Sequence, residues 1–507
     1  MKSAVGILET SSKIRYGIDK RGHYLYRFTP YYRYKNECVI VVASKMVGQM
    51  IDYWVEIEYD ENSVINGKIR GYIIAILGTV GDPDAELQAI CRHYRSRSAY
   101  IRSLKSCENE ILEIVERERT LETHRHVAIE VSSIDPEGCR DVDDAFSYEA
   151  DTGILGIHIA DVSYWIQPDT HPNLDSRARM FGETLYEWSE GDTGDTNSPI
   201  FPRILADDIM SLREGAVRPA LSLYIQYHPD THTFTLLNER ALVRTFVVNR
   251  HKATYEDYDP VAEGTAELFK DFCVYVLGRV PSKTNHGIVE AMMIYYNKTV
   301  AEFMLRKGGA GLWREQDSID ETTLPAFVSL LPYTPSLPAS YTTIPFKKHD
   351  TMSREYDITA YTHATSPIRR YADVIVQRIA MSFTHINHET LDTVVTELNA
   401  LQRTHRKYYR DMAFARSLGT PPTNDFTIQA KILTLQKCLE RLGKYRLTCY
   451  IYAWNRILSF STYADGEVAE RLERCFECRE SVVFEYFRNA RRKLTVRLTC
   501  SETYAKI

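Results

Sequence analysis

The chain has 507 residues, 44% of them apolar and 26% charged, which is the profile of a globular protein of several domains and excludes a disordered or fibrous chain. A formal net charge of −6 excludes a globally basic nucleic-acid binder, so any grip on a polyanion must come from local basic surface. No run of about 18 apolar residues occurs and the N-terminus, MKSAVGILETSSKIRYG, has no signal-peptide core, so the expected address is the cytosol, with the nucleus second and no membrane.

Residues 1–98 read as strands. "YLYRFTPYYRYK", "ECVIVVASKM", "DYWVEIEYD" and "GKIRGYIIAILG" are β-rich runs broken by Gly, Pro, Asp and Asn, which predicts a small closed sheet of the cold-shock or OB type. Basic and aromatic residues alternate in Arg15, Tyr16, Lys20, Arg21, Tyr24, Tyr26, Arg27, Phe28, Tyr32, Arg33 and Tyr34. On a barrel surface they would stack bases and bind phosphates; as an amphipathic strand pair they would only solvate it. From about residue 84 to 123 the pattern turns helical and highly charged, and residues 99–125 are assigned as a helical connector. Residues 126–418 form a long block, strand-rich first and helical later, whose last helix carries Leu391, Val394, Leu398 and Leu401 at helical spacing. Residues 424–507 return to short strands, "FTIQAKILTL", "YRLTCYIYAW", "ILSFSTYA" and "KLTVRLTC", which predicts a second OB-like barrel. Cys475 and Cys478 make one Cys-x-x-Cys with no second pair to complete a zinc ribbon. The expected class is therefore α+β and multidomain.

The central block opens on "IDPEGCRDVDDAF". Pro136 and Gly138 make a turn that can fold Asp135 back towards Asp141, while Asp141 and Asp143 share one side of an extended segment and Asp144 faces the other. Two carboxylates about 4 Å apart repel by roughly 4 kcal/mol at an effective dielectric of about 20, so four converge only with protons or cations. Mg²⁺ resolves the conflict, since it takes carboxylate oxygens and keeps waters for a phosphate. A solvated acidic loop is the blander reading of the cluster alone. About 220 residues on, "YTHATSPIRRYADVIVQR" sets Arg369 and Arg370 at the opening of a predicted helix, where guanidinium forks and the helix dipole hold phosphates. An acidic metal loop with an arginine-bearing helix start is the pairing that phosphoryl chemistry requires.

These two motifs, with "GIHIADVSYWI" after the first, resemble the signatures of the ribonuclease II family, the RNB-domain 3′→5′ exoribonucleases. Weaker matches lie between them in "TLYEW", "MSLREGAVRPALSL", "KATYEDY" and "IVEAMMIYYN". The resemblance covers the central block, and implies a mixed α/β RNB catalytic domain there. The N-terminal segment resembles the cold-shock domain that precedes it in the family.

The resemblance implies a Mg²⁺ site of one or two ions, with Mn²⁺ as a substitute, on Asp135, Asp141, Asp143 and Asp144. Asp144, Asp143 and Arg369 would be catalytic. Tyr186 would stack on bases near the 3′ end, Tyr255 and Glu290 would hold the terminal nucleotides, and Arg369 and Arg370 would bind RNA. The implied reaction is Mg²⁺-dependent hydrolysis of single-stranded RNA from its 3′ end to nucleoside 5′-monophosphates, by a monomer that an RNA-degradation complex would recruit. The alternative is a catalytically weak RNB-like RNA-binding or complex-associated protein.

Two departures motivate that alternative. The stretch between Tyr255 and Glu290 is short, so the aromatic that clamps the terminal base in relatives is missing unless Phe269, Phe272 or Tyr275 replaces it. Asp207 and Asp208 also add negative charge that would weaken phosphate binding unless a cation or arginine compensates. Basic surface must then be segregated, with candidates at Arg92 to Lys105, Arg403 to Arg416 and "RNARRKLTVR" at 488–497.

Overall fold

Short β-branched and aromatic runs cannot bury a face alone, and in the first 79 residues they close on one another. The computed structural model describes residues 2–31, 38–45, 51–95, 97–186, 197–237, 242–280, 285–308, 311–316, 338–345, 360–381, 388–417, 426–438, 443–452, 456–464, 466–478, 480–488 and 494–498. Strands β1 (Lys2–Leu8), β2 (Tyr24–Pro30), β3 (Val39–Ser44), β4 (Tyr53–Ile65) and β5 (Lys68–Thr79) form a closed barrel in the order β1-β2-β3-β5-β4. The strand β1 was hidden in the sequence by its polar surroundings; it completes the ring by pairing antiparallel with both β2 and β4. β3 and β5 run parallel. Leu8, Tyr26, Phe28, Ile40, Val42, Val55, Ile57 and Ile69 fill the interior. Tyr26 and Phe28, expected on a base-stacking face, are thus core residues, because alternate side chains of β2 point inwards. Tyr32, Arg33 and Tyr34 lie outside the described residues.

Helices α1 (Pro83–Tyr94), α2 (Arg97–Ser106) and α3 (Glu108–Glu118) follow, so the helical run begins where the pattern turns helical and before the assigned connector. Asp82 caps α1 by accepting from the Asp84 amide at 3.2 Å, and Pro83 fills its first turn. Arg92 of α1 donates to buried Glu56 of β4 at 3.2 Å, which ties the helix to the barrel.

The central block is built on a second ring. β6 (Ile129–Asp135), β7 (Asp144–Glu149), β8 (Ile154–Ala160), β11 (Val217–His228) and β13 (Val243–Thr254) pair around a circuit, because β11 bonds to both β13 and β8; β12 (Thr233–Leu236) hangs on β11. β13 and β6 are its parallel pair. Between β8 and β11 come α4 (Val162–Trp165), α5 (Pro172–Phe181), the two-residue strands β9 (Leu185–Tyr186) and β10 (Asn197–Ser198), and a π-helical turn at Ile204–Ile209. After β13 come α6 (Ala266–Leu277), α7 (His286–Arg306), the short pair β14 (Trp313–Glu315) and β15 (Ser340–Thr342), α8 (Tyr371–Met381) and α9 (His388–Ser417). One large apolar core joins this ring to α5–α8, and Leu391, Val394 and Leu398 of α9 belong to it, as their spacing predicted.

The C-terminal strands β16 (Phe426–Lys437), β17 (Lys444–Ile451), β18 (Arg456–Tyr463), β19 (Ser481–Arg488) and β20 (Leu494–Leu498) form a five-stranded antiparallel sheet in the order β18-β17-β16-β19-β20. Helix α10 (Gly466–Glu477) packs Leu472 and Cys475 into its core. A closed barrel was expected here; among the described residues no hydrogen-bonded pairing joins the edge strands β18 and β20, although the two lie close to each other.

Candidate active site

The acidic run connects two strands of the ring: Asp135 ends β6 and Asp144 begins β7. The turn read from Pro136 and Gly138 is present. The Cys139 amide donates to Pro136 O at 3.1 Å, and Gly138 has φ +74°, which a side chain would disfavour. The loop is then held from three sides. The Val142 amide donates to Ser211 Oγ (3.0 Å) and Val142 O accepts from the Leu212 amide (3.0 Å); Asp143 O accepts from the Ala160 amide (2.8 Å); Asp143 Oδ1 accepts from the Ile368 amide (2.8 Å). Asp135 is held by Ser133, whose hydroxyl donates to Oδ2 at 2.8 Å and is itself fixed by Asn249 at 2.9 Å. Ser211, Ser133 and Asn249 escaped the sequence reading. Ser211 stands in "MSLREG", the one signal that could have found it.

These constraints place Asp135, Asp141, Asp143 and Asp144 on one cleft of about 580 Å³, with Tyr186, Tyr255, Arg369, Arg140 and Arg203 also on its wall. Burial holds the Asp143 carboxyl well above the usual carboxylate range; Arg369 opposes this and Asp141 reinforces it. Burial, then the charge of Asp135, pushes the Asp144 carboxyl up to about 7. Asp135 is also raised, by burial. Buried Asp143 Oδ2 accepts no hydrogen bond and has the Arg369 guanidinium beside it, Nε at 3.2 Å. Among the described residues no three His, Cys, Asp or Glu side chains stand as a ready metal cage. The donor set nonetheless fits a hard divalent cation: carboxylate oxygens, one of them without a hydrogen bond, around a cleft roomy enough for the waters such an ion retains.

Arg369 and Arg370 stand in the turn that leads directly into α8, which starts at Tyr371, at the opening of the helix expected from the sequence. The turn is closed by Asp373, which accepts from the Ser366 amide at 2.8 Å and so bends the chain ahead of the helix. Segment 182–184 pairs with it: the Thr184 amide donates to Arg369 O (2.9 Å) and the Tyr371 amide to Gly182 O (2.8 Å). That pairing brings "TLYEW" to the arginines. The two arginines then part. Arg369 turns to the cleft, donating to Ser366 Oγ at 2.8 Å. Arg370 turns away and donates to buried Asp373 at 2.9 Å, so its geometry is that of an internal ion pair, not of an RNA contact.

Tyr186 reaches the cleft with its hydroxyl donating to Asp141 Oδ2 at 2.7 Å, and its backbone O accepts from Tyr408 Oη at 3.0 Å. Tyr255 lines the same cleft; burial, then Asp144, pushes its phenol up to about 12, so it is a donor at neutral pH. Glu290 is not brought in: it is exposed on α7 and accepts from Arg279 at 2.6 Å. Phe269 and Phe272 are core residues of α6, packed edge-to-face on Phe146 and Phe234, and Tyr275 packs on Phe234, so none of the three reaches the cleft. The added acids are compensated. Asp207 pairs with Arg203 (3.2 Å), and Asp208 with Arg213 (2.5 Å) and buried Arg218 (3.0 Å).

Of the expected basic surface, Arg92 and Arg95 are buried staples. Arg95 donates to Ser198 Oγ (3.0 Å) and Glu183 O (2.8 Å). Arg403, Arg406, Lys407 and Arg410 of α9 are exposed. Residues 489–493 lie outside the described ones.

The RNB domain model matches residues 125–272 and 273–385, which is more than half of the chain and contains the whole cleft wall. The chain belongs to the RNB domain family. It is 24% identical over 347 residues to Ribonuclease R of Chlamydia pneumoniae, covering 54% of this chain and 50% of that protein; the match spans about half the length of that curated relative. A likeness of fold extends over nearly the whole chain. The apo form of Mycoplasma genitalium RNase R superposes with a TM-score of 0.65 at 13% identity, covering 98% of this chain and 89% of the other. That enzyme is also known in complex with ribose-methylated single-stranded RNA and with double-stranded RNA. Yeast Ssd1, a pseudonuclease, superposes at 0.56 and 14% identity, over 92% of this chain and 65% of Ssd1. The fold is thus common to nucleases and a pseudonuclease, and the residues of the cleft must decide between them. No helix among the described residues is long and apolar enough to cross a membrane.

Proposed function

We propose that this RNB protein is a hydrolytic 3′→5′ exoribonuclease that takes single-stranded RNA to nucleoside 5′-monophosphates with Mg²⁺, or Mn²⁺ in its place. The supporting observation is the convergence of Asp135, Asp141, Asp143 and Asp144 with Arg369 on one cleft. Five acids, Glu137 included, face three arginines there, so a phosphodiester would be repelled unless cations entered with it. Asp135, Asp141, Asp143 and Asp144 would hold the metal, which when bound supplies a water nucleophile at neutral pH and Lewis-acid polarisation of the phosphate.

The chain's own residues do the rest. Asp143, fixed by the Ile368 amide, orients Arg369, whose guanidinium on the cleft wall would neutralise charge on the scissile phosphate. Tyr186, pinned by Tyr408, and Tyr255 set the positions of the last nucleotides. The N-terminal barrel, residues 1–98, and residues 424–507 would add RNA-binding surface, with Arg15, Tyr16 and Tyr24 on the former.

A second reading, an RNA-binding protein that hydrolyses weakly or not at all, is favoured by one observation: Phe269, Phe272 and Tyr275 all stay off the cleft, which weakens the hold on the 3′ end. One assay separates the two. A 5′-labelled single-stranded RNA and its DNA counterpart are incubated with Mg²⁺ or EDTA, with wild type and Asp144→Asn side by side. A ladder shortening from the 3′ end, for RNA with Mg²⁺ and intact Asp144 alone, is the expected result. Binding of RNA without cleavage by folded wild type, across several divalent metals, overturns the nuclease reading.

A further inference from the structure

If the short stretch after Tyr255 supplies no clamp, the cleft must hold the terminal nucleotide by other means. The start of α7 offers one. His286 stacks on Tyr255 with ring centroids 3.9 Å apart and the planes 13° from parallel. Its neighbour Asn285 donates to Tyr255 O at 2.9 Å and to Tyr258 O at 2.8 Å. Two consecutive residues therefore hold the Tyr255 backbone and ring together. His286 is exposed while Tyr255 is half-buried on the cleft wall, so the imidazole covers the outer face of the ring.

We infer that His286 is the positioning residue for Tyr255: it fixes the ring against which the 3′-terminal nucleotide seats, doing from outside the cleft what a second aromatic would do from across it. This rests on the exoribonuclease reading only for the identity of the ligand, a 3′-terminal ribonucleotide. The physical case is direct. A half-buried tyrosine ring spends part of its time in other rotamers, and each must be abandoned on binding; a parallel ring packed on one face removes that cost before the nucleotide arrives. Among the described residues no other aromatic side chain takes that part, since Tyr186, the one other aromatic among those that line the cleft, has its hydroxyl committed to Asp141. The shortened segment is compatible with this arrangement, because it runs through α6, whose Phe269 and Phe272 are used in the core, to the helix that carries His286.

The test uses the full-length chain with His286→Ala, His286→Phe, Tyr255→Ala and the double variant His286→Ala/Tyr255→Ala. Two readouts are taken: steady-state hydrolysis of a single-stranded RNA with Mg²⁺, and fluorescence-detected binding of an RNA carrying 2-aminopurine at its 3′ end. The binding arm is measured in an Asp144→Asn background so that the RNA survives. His286→Ala is expected to raise KM and weaken binding by about 3- to 10-fold with kcat within about twofold, the size of one aromatic stacking pair. His286→Phe keeps the stack and restores both. In the Tyr255→Ala background the same change has no further effect, since the two residues act as one unit.

Wild-type behaviour of His286→Ala in both readouts overturns the proposal. So does a loss that simply adds to that of Tyr255→Ala, or one that His286→Phe fails to rescue. The two readings fail separately. If wild type hydrolyses no RNA yet 2-aminopurine binding follows the expected pattern, the nuclease reading falls and the role of His286 stands.

Discussion

This chain contains two five-stranded rings, and they are built alike. Each closes through one parallel pair, β3 with β5 and β13 with β6, and is otherwise antiparallel. They differ in what closure is used for. The N-terminal ring fills its interior with aliphatic and aromatic side chains, and its buried Glu56 is taken by Arg92 of α1. The second ring buries a polar chain, Ser147–His158–Ser222–Thr245, with contacts of 2.9, 2.7 and 2.6 Å, and a second one, Asp135–Ser133–Asn249. A ring held by apolar packing tolerates change in its loops. A ring whose interior hydroxyls and amides are all committed holds its strand ends in one register, which suits a loop that must keep four carboxylates in place.

The sharpest way to break the comparison is at Asp144. Asp144→Asn is expected to lower kcat/KM by about 10³-fold or more if the carboxylate holds the metal, read in the RNA ladder assay. The same change should stabilise the metal-free protein at pH 8 by about 1–3 kcal/mol. The sign follows from a folded-state pKa raised to about 7: the native state holds a proton that the unfolded state gives up near pH 4. Stability is therefore full below about pH 4 and falls as pH rises through 7. Melting in EDTA between pH 4 and pH 8 should show a decline for wild type that is shallower in the variant.

Next in size is Arg369. Arg369→Ala should lower kcat/KM by about 10²- to 10³-fold, with Arg369→Lys recovering little, because an ammonium cannot bridge Asp143 and a phosphate as a planar fork does. Arg370→Ala should instead lower the melting temperature, since it leaves Asp373 buried with its ion pair broken.

A third change sharpens the contrast of interiors. Burial pushes the His158 imidazole down to about 3, so it is neutral in the fold. Stability linked to it is complete above about pH 6.5 and is lost as pH falls towards 3, the opposite sign to Asp144. His158→Gln should cost about 2–4 kcal/mol at pH 7 and flatten the acid limb of the stability curve, measured by denaturant titration between pH 4 and pH 7.

The smallest effect belongs to the first ring. The half-buried Arg15 guanidinium lies 5.8 Å from the centre of the exposed Tyr24 ring and 4.5 Å from that of the buried Tyr26 ring. Arg15→Ala should weaken RNA binding by about 2- to 5-fold and reduce the salt slope by about one unit, with the melting temperature unchanged. A large loss of stability instead would show that Arg15 is part of the packing and not of the RNA surface.

Local chemistry was legible in the chain. The spacing of Asp135, Asp141, Asp143 and Asp144, the Pro136–Gly138 turn, the β-rich first segment and the apolar spacing of α9 need only neighbours within a few residues, and all are present in the structure. The fates of Arg369 and Arg370 were not legible, although they are adjacent: one joins Asp143, 226 positions away in the numbering, and the other Asp373. Glu290 turning to Arg279, Phe269 and Phe272 entering the core, Ser211 holding the acidic loop and His286 covering Tyr255 were decided in the same way. So was closure of the second ring, which depends on β11 pairing on both its edges. A residue's type limits which partners it can take, but which partner is near depends on how distant segments pack. The sequence alone therefore determined which chemistry this protein carries, and tertiary packing decided which of its residues face the cleft.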